Sequence, residues 1–180
     1  VSLAGLVLAG TRLNAQVTDQ NLLNAAQEPQ NWLSYSGSYS AERYSMLDQI
    51  TPSNVKNLQM QWVFQTDSIQ KMEAIPIVVN GVMYVTQAPN DVVALDARTG
   101  RVFWEYQYDI SPNSHPCCGL INRGLAIHGN ILFMGTLDGR LVALDATNGR
   151  VIWNIPVADP KLGYSITAAP LVVNDEVLIG

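Results

Sequence analysis

The residues ALDARTGRVFW at positions 94–104 return as ALDATNGRVIW at positions 143–153, changed only at Arg98/Thr147, Thr99/Asn148 and Phe103/Ile152. A repeat this close means one structural unit built twice. Each copy follows an alternating apolar run, PIVVNGVMYVT before the first and LAIHGNILFMGT before the second, and a third run, PLVVNDEVLIG, closes the sequence. The pattern is strand, tight turn, strand. Asn80-Gly81 and His128-Gly129 stand where a two-residue hairpin needs positive φ, with Asn174-Asp175 in the matching place of the third run. Within the repeat, Asp96 and Asp145 are placed to accept bonds from amides of the following turn, and Gly100 and Gly149 allow a backbone conformation that a side chain disfavours. Trp104 and Trp153 end the two copies, and Trp62 in LQMQWVFQT reads as an earlier, degenerate equivalent. Short antiparallel units at a period of about 40 to 50 residues, each too thin to bury a core alone, are the signature of an all-β propeller. The recurrent tryptophans are expected to fill the space between blades, as docking residues of the architecture.

The interval from Trp104 to Trp153 is longer than that from Trp62 to Trp104, and the surplus falls in YDISPNSHPCCGLIN. A loop longer than its siblings on a repetitive scaffold is where a binding site is most often added. The region from Val17 to about Ser53 differs from the repeats; TDQNLLNAAQEP reads as a short helix capped at Thr18 or Asp19, a lead-in that packs on the propeller. Residues 1–10 are uncharged and apolar but too short to span a bilayer, and polar sequence begins beyond the small residue Ala15. Residues 1–16 therefore read as the remnant of a secretory signal, against the alternative of a buried helix start, and residues 17–180 as the propeller part, exported to an oxidising compartment. The net charge of −5, with no run of like charges and no basic patch, argues against nucleic acid or an anionic membrane surface as partner.

The only two cysteines, Cys117 and Cys118, are adjacent within HPCCGLINRG. Neighbouring Cα atoms lie about 3.8 Å apart, below the usual disulfide range, so a bridge here closes an eight-membered ring. It closes no loop, and its chain-entropy benefit is close to nothing. What it offers is a rigid, flat, polarisable patch suited to packing against a planar ring. Unbridged thiols in a core, pairing with a partner chain, and metal ligation are the competing readings. The last is weakest, since the cysteines with His115 and His128 give no zinc-like spacing.

The HPCCGLINRG loop, taken with the two ALDAxxGRVxW motifs, resembles the pyrroloquinoline quinone (PQQ)-dependent alcohol dehydrogenases of the methanol/ethanol type, eight-bladed propellers of the bacterial periplasm. The resemblance extends over residues 18–180, including the lead-in NWLSYSGSYSAERYSMLDQITPSNVKNLQMQW. It implies a disulfide between Cys117 and Cys118 stacked over one face of PQQ, a cofactor-binding Arg123, a cofactor-contacting Glu73 in KMEAIPIVV, and Thr167 in YSITAAPLVV as a hydroxyl partner. Glu73 has independent support, because a carboxylate directly before an apolar strand needs a donor to meet. The activity implied is oxidation of a small alcohol by hydride transfer to PQQ, with calcium or a lanthanide as Lewis acid and a periplasmic cytochrome c as electron acceptor.

The resemblance further implies that the catalytic aspartate and the metal ligands lie beyond Gly180, so that residues 17–180 supply about three of eight blades and are inactive alone. No catalytic residue or metal ligand is assigned within the sequence. The alternative is a non-catalytic propeller that scaffolds protein assembly in the cell envelope. Such a scaffold has no reason to combine Glu73, Cys117, Cys118, Arg123 and Thr167.

Overall fold

A computed structural model describes residues 16–180; the apolar run at 1–10 and nearly all of the signal remnant read from it lie outside the described residues. After a short helix, α1 (Asp19–Leu23), ten strands follow: β1 (Ile77–Val79), β2 (Val82–Gln87), β3 (Asp91–Asp96), β4 (Val102–Tyr106), β5 (Ala126–His128), β6 (Ile131–Gly135), β7 (Arg140–Asp145), β8 (Val151–Pro156), β9 (Leu171–Val173) and β10 (Glu176–Leu178). They form two four-stranded antiparallel sheets, β1-β2-β3-β4 and β5-β6-β7-β8, and a β9-β10 hairpin. These are two whole blades and the start of a third, as the repeats predict. In the two blades the middle strands are buried over their central residues, because a neighbouring layer covers both faces. That is why they read as continuous apolar runs.

The blades are joined by indole docking. Trp104 leaves β4 and lies over Gly149 in the next blade, where a Cβ would stand 2.6 Å from its Cε3 atom, and its Nε1 donates to the Ala146 carbonyl at 3.1 Å. Trp62 treats Gly100 the same way, with a Cβ clash of 2.6 Å and an Nε1 bond of 3.2 Å to the Ala97 carbonyl. Both glycines have φ near the left-handed region, +71° and +73°. The repeat thus encodes the joint between blades as well as the blade. Asp96 Oδ1 accepts from the amides of Arg98 and Thr99, and Asp145 Oδ1 from the amide and hydroxyl of Thr147, which hold the turn that presents the glycine. Within each blade Trp104 meets Tyr84, and Trp153 meets Phe133, both at 5.9 Å and 41°. Both blades also shift register at the same place, between Ala94 and Leu95 and between Ala143 and Leu144.

One local expectation needs correction. The second hairpin turns at Gly129-Asn130 rather than His128-Gly129, since His128 still pairs with Ile131. Only Gly129 has positive φ there, +58°, so one left-handed residue at the first central position suffices. The segment around Trp62 is not a strand among the described residues, for its backbone has no ladder to join; the indole docks without one.

The lead-in crosses all three sheets at the end carrying the tight hairpins. Thr18 and Asn21 cap α1 reciprocally, Val17 bridges to Gly129, Trp32 pairs with Val78, Asn31 Oδ1 accepts from the Asn80 amide at 2.9 Å, and Tyr39 donates to the Val172 carbonyl at 2.7 Å. Val17, Leu22 and Leu33 are buried in the main core. The lead-in therefore fixes the three first strands, β1, β5 and β9, relative to one another.

The docking geometry predicts that Gly149→Ala lowers stability by about 2–4 kcal/mol, combining backbone strain with the indole clash. Gly163→Ala, at φ +83° but with open space around it, costs about 1 kcal/mol. Denaturant melts of the two variants measure the difference. A second expectation concerns Asp145. Burial pushes its carboxyl up, but the bonds from Thr147 and Asn148 and the nearby Arg150 outweigh this and leave it below the ordinary 3.8. A depressed folded pKa stabilises the fold above the unfolded value, and the contribution fades as pH falls through the folded one. The stability gap between wild type and Asp145→Asn, followed by urea melts, is therefore expected to narrow below about pH 4.

Candidate functional site

The ends of β1, β5 and β9 away from the lead-in come together through their preceding residues. The Ile75 amide donates to the Arg123 carbonyl at 3.2 Å, and the Arg123 amide donates to the Thr167 carbonyl at 3.0 Å. Gly124 makes room for this approach, since a Cβ there would stand 3.0 Å from the Ile75 carbonyl oxygen. Gly135 does the same for the third segment, where a Cβ would collide with Ile166, whose amide donates to the Thr136 carbonyl at 3.1 Å.

This junction unites three of the residues singled out from the sequence. Arg123 Nη2 lies 3.0 Å from Glu73 Oε2, and Arg123 Nη1 donates to Thr167 Oγ1 at 2.8 Å. Each comes from the start of a different blade. The ion pair is 37% and 41% exposed, so solvent screens it and it contributes little to stability. A guanidinium has five donors, and two contacts leave it able to grip a further anion. A cation, a carboxylate and a hydroxyl are thus presented together where three inner strands converge.

Cys117 and Cys118 are bonded to each other, with Cα atoms 3.8 Å apart. The open alternatives of free or metal-bound thiols are removed. The contacts joining Glu73, Arg123 and Thr167 do not extend to the disulfide, which lies in an exposed part of the loop leading into β5. That loop, residues 107–125, is the longest connection among the described strands. It is tied down on both sides of the disulfide. On one side Tyr108 donates to both oxygens of Asp138, at 2.9 and 3.0 Å, the Ser111 amide reaches Asp138 Oδ2 at 3.2 Å, and Ser114 donates to the Leu137 carbonyl at 2.7 Å. Burial, with Asp138 beside it, pushes the Tyr108 phenol up to about 12 against the opposing Thr136 bond, so it stays a donor through the neutral range. On the other side Asn122 is buried and bonded to Asn90 and Gly135.

Sequence reading missed Tyr108, Asp138, Asn90 and Asn122. Polar residues bordering a long loop are ordinary turn formers, and only their burial distinguishes them. Among the described residues, the one group of His, Cys, Asp or Glu close enough to hold a metal is Asp19, His128 and Asp175, at the opposite, lead-in end. A concavity of about 310 Å³ bordered by Leu23, Trp32, Tyr39 and Tyr44 also belongs to the lead-in and includes none of Glu73, Arg123 or Thr167.

Residues 32–180 match the family described as PQQ glucose/ethanol/alcohol dehydrogenase, β-propeller domain. The quinoprotein alcohol dehydrogenase PedH of Pseudomonas putida is 40% identical over 99% of this chain and 30% of its own length. The quinohemoprotein alcohol dehydrogenase ADH-IIG of Pseudomonas putida is 42% identical over 100% of this chain and 26% of its own length, and its solved structure superposes with a TM-score of 0.86 over 93% of this chain and 25% of that one. A europium-containing methanol dehydrogenase superposes at 0.85, with 40% identity, over 89% of this chain and 29% of that one. The chain thus spans about a quarter to a third of the length of these relatives.

The two-sided attachment of the loop predicts that Tyr108→Phe, which removes the hydroxyl that bonds both oxygens of Asp138 and leaves that carboxylate to Thr136 and the Ser111 amide, accelerates hydrogen exchange across residues 109–121 about tenfold or more. Asn113→Ala, at an exposed position in the same loop, is expected to leave exchange unchanged.

Proposed function

The chain belongs to the PQQ-dependent glucose/ethanol/alcohol dehydrogenase β-propeller family, and from that membership we propose that it supplies the opening blades of a periplasmic quinoprotein that oxidises a primary alcohol to an aldehyde. The observation that carries this reading is the contact of Arg123 with Glu73 and Thr167, contributed by three blades at one end of the inner strands. PQQ is a planar quinone with three carboxylates. A guanidinium with donors to spare suits an acidic rim, a hydroxyl suits a ring oxygen, and a flat exposed disulfide suits a ring face. The donor set present therefore fits the cofactor.

Bound PQQ would accept hydride from the alcohol carbon, aided by a Lewis-acid metal, calcium or a lanthanide. Arg123 would hold the acidic rim and Glu73 would keep the guanidinium in place. Thr167 would fix one edge, and the Cys117–Cys118 bond would limit the ring's tilt and exclude water from that face. On this reading the metal ligands and the base belong to the part of the relatives' length that the chain does not span. Residues 17–180 by themselves are expected to be inactive. A cytochrome c of the periplasm is the electron acceptor this reading calls for, in keeping with the relative named 1-butanol dehydrogenase (cytochrome c). Export is supported by the disulfide, which belongs to an oxidising compartment, and by the apolar run read as the remnant of a signal at residues 1–16. No described helix is long and apolar enough to cross a membrane.

In the complete protein that carries this chain, dye-linked alcohol oxidation is expected to require both added PQQ and a calcium or lanthanide ion. Arg123→Ala is expected to weaken quinone binding by about tenfold to a hundredfold, as measured by absorbance titration. Reduction of the Cys117–Cys118 bond is expected to lower the rate. Absence of quinone binding by the complete protein would overturn the reading in favour of an envelope scaffold.

A further inference from the structure

Asn122 is 4% exposed and sits immediately before Arg123, yet its side chain takes no part in the Glu73–Arg123–Thr167 contact. Its amide works in three directions. Nδ2 donates to Asn90 Oδ1 at 3.2 Å, in the β2–β3 turn of the first blade, and to the Gly135 carbonyl at 2.9 Å, at the end of β6 in the second. Oδ1 accepts from the Gly124 amide at 3.0 Å, and the Asn122 carbonyl accepts from Thr86 Oγ1 at 3.3 Å. Asn90 Oδ1 also receives the Leu137 amide at 3.2 Å, so the same oxygen ties both blades together.

The backbone around Arg123 is consequently held on every side. Its own amide and carbonyl are bonded to Thr167 and Ile75, while the groups flanking it, the carbonyl of Asn122 and the amide of Gly124, are bonded to Thr86 and to the Asn122 side chain. A guanidinium on a long flexible stem recognises a carboxylate well only when its Cα is fixed, because a two-pronged contact tolerates little angular error.

We propose that Asn122 is the positioning residue for Arg123, locking its backbone between the first two blades so that the guanidinium is preset for an acidic cofactor. This rests on the quinone-binding reading and goes beyond it by assigning a role to a buried residue whose side chain is bonded to Asn90, Gly135 and Gly124 rather than to the guanidinium. An isosteric change isolates the amide. Asn122→Asp keeps the volume and the acceptor for Gly124, but it replaces the Nδ2 donor with an oxygen facing the Gly135 carbonyl and Asn90 Oδ1.

The test is a double-mutant cycle on the complete protein, with PQQ affinity read by absorbance titration of the apoprotein and thermal midpoints recorded alongside. Asn122→Asp is expected to weaken PQQ binding about tenfold in the wild-type background and to add almost nothing in the Arg123→Ala background. Gly81→Ala, in the β1–β2 turn at the end opposite the site and with open space around it, serves as the structural control, with a lowered thermal midpoint from its φ of +80° and unchanged PQQ affinity. A purely structural asparagine would weaken binding equally in both backgrounds, or not at all, and either result overturns the proposal. Should Asn122→Asp fail to fold, Asn90→Ala removes the acceptor from the same amide and completes the same cycle. If wild-type protein does not bind PQQ, the functional reading falls first, and that failure is seen before any variant is compared.

Discussion

The structure depends on an indole lying flat on a glycine. Trp62 over Gly100 and Trp104 over Gly149 occupy space that any Cβ would take, and each indole nitrogen closes the joint with a bond to a carbonyl of the same turn. The glycine must also adopt a left-handed backbone, and the Asp96 or Asp145 turn holds it there. A large flat group docked on a bare backbone sets both the distance and the angle between blades. With that angle fixed, the starts of β1, β5 and β9 converge at one end, and the lead-in is drawn across the other. The site is thus a consequence of how the blades are stacked. Glu73, Arg123 and Thr167 meet because each precedes the first strand of successive blades.

A second layer of constraint lies between the blades and the site. Asn90, Asn122, Thr136 and Asp138 are all buried, and their bonds run from turns of the two blades into the loop that bears the disulfide. Buried polar groups are costly unless they are paired, and such a seam persists only where the geometry is well defined. Here it turns a long surface loop, normally the most mobile part of a domain, into a mount fastened on both sides of Cys117 and Cys118. The exposed stretch between the fastenings is short, and its adjacent cysteines remove the remaining side-chain freedom.

Much of this was legible in the sequence because the fold repeats. The shared ALDAxxGRVxW motif revealed the blade, the turn, the role of glycine and the docking tryptophans, and the hairpin pairs Asn80-Gly81 and Asn174-Asp175 were placed where both residues take positive φ. The His128-Gly129 turn was misplaced by one residue, since a single glycine in a two-residue loop fits either position and only the pairing of His128 with Ile131 decides. Trp62, read as an earlier equivalent of the docking tryptophans, does dock on Gly100 and Ala97, but from a segment that is not a strand among the described residues. For the site, the adjacent cysteines and the loop length drew attention to the right segment, whereas the convergence of Glu73, Arg123 and Thr167 came from resemblance and is explained by topology alone. Asp138 gave no signal, and Asn122 none beyond its place in HPCCGLINRG, because a turn-forming polar residue looks the same whether it faces water or a buried partner.

The most direct measurement is a crystal structure of the complete protein with PQQ bound. The predicted result has a PQQ carboxylate about 3 Å from the Arg123 guanidinium, with the bonded sulfurs of Cys117 and Cys118 against one face of the ring. A quinone seated elsewhere, or a guanidinium still engaged only with Glu73 and Thr167 while the ring lies beyond its reach, would contradict the assignment of this junction as the cofactor site.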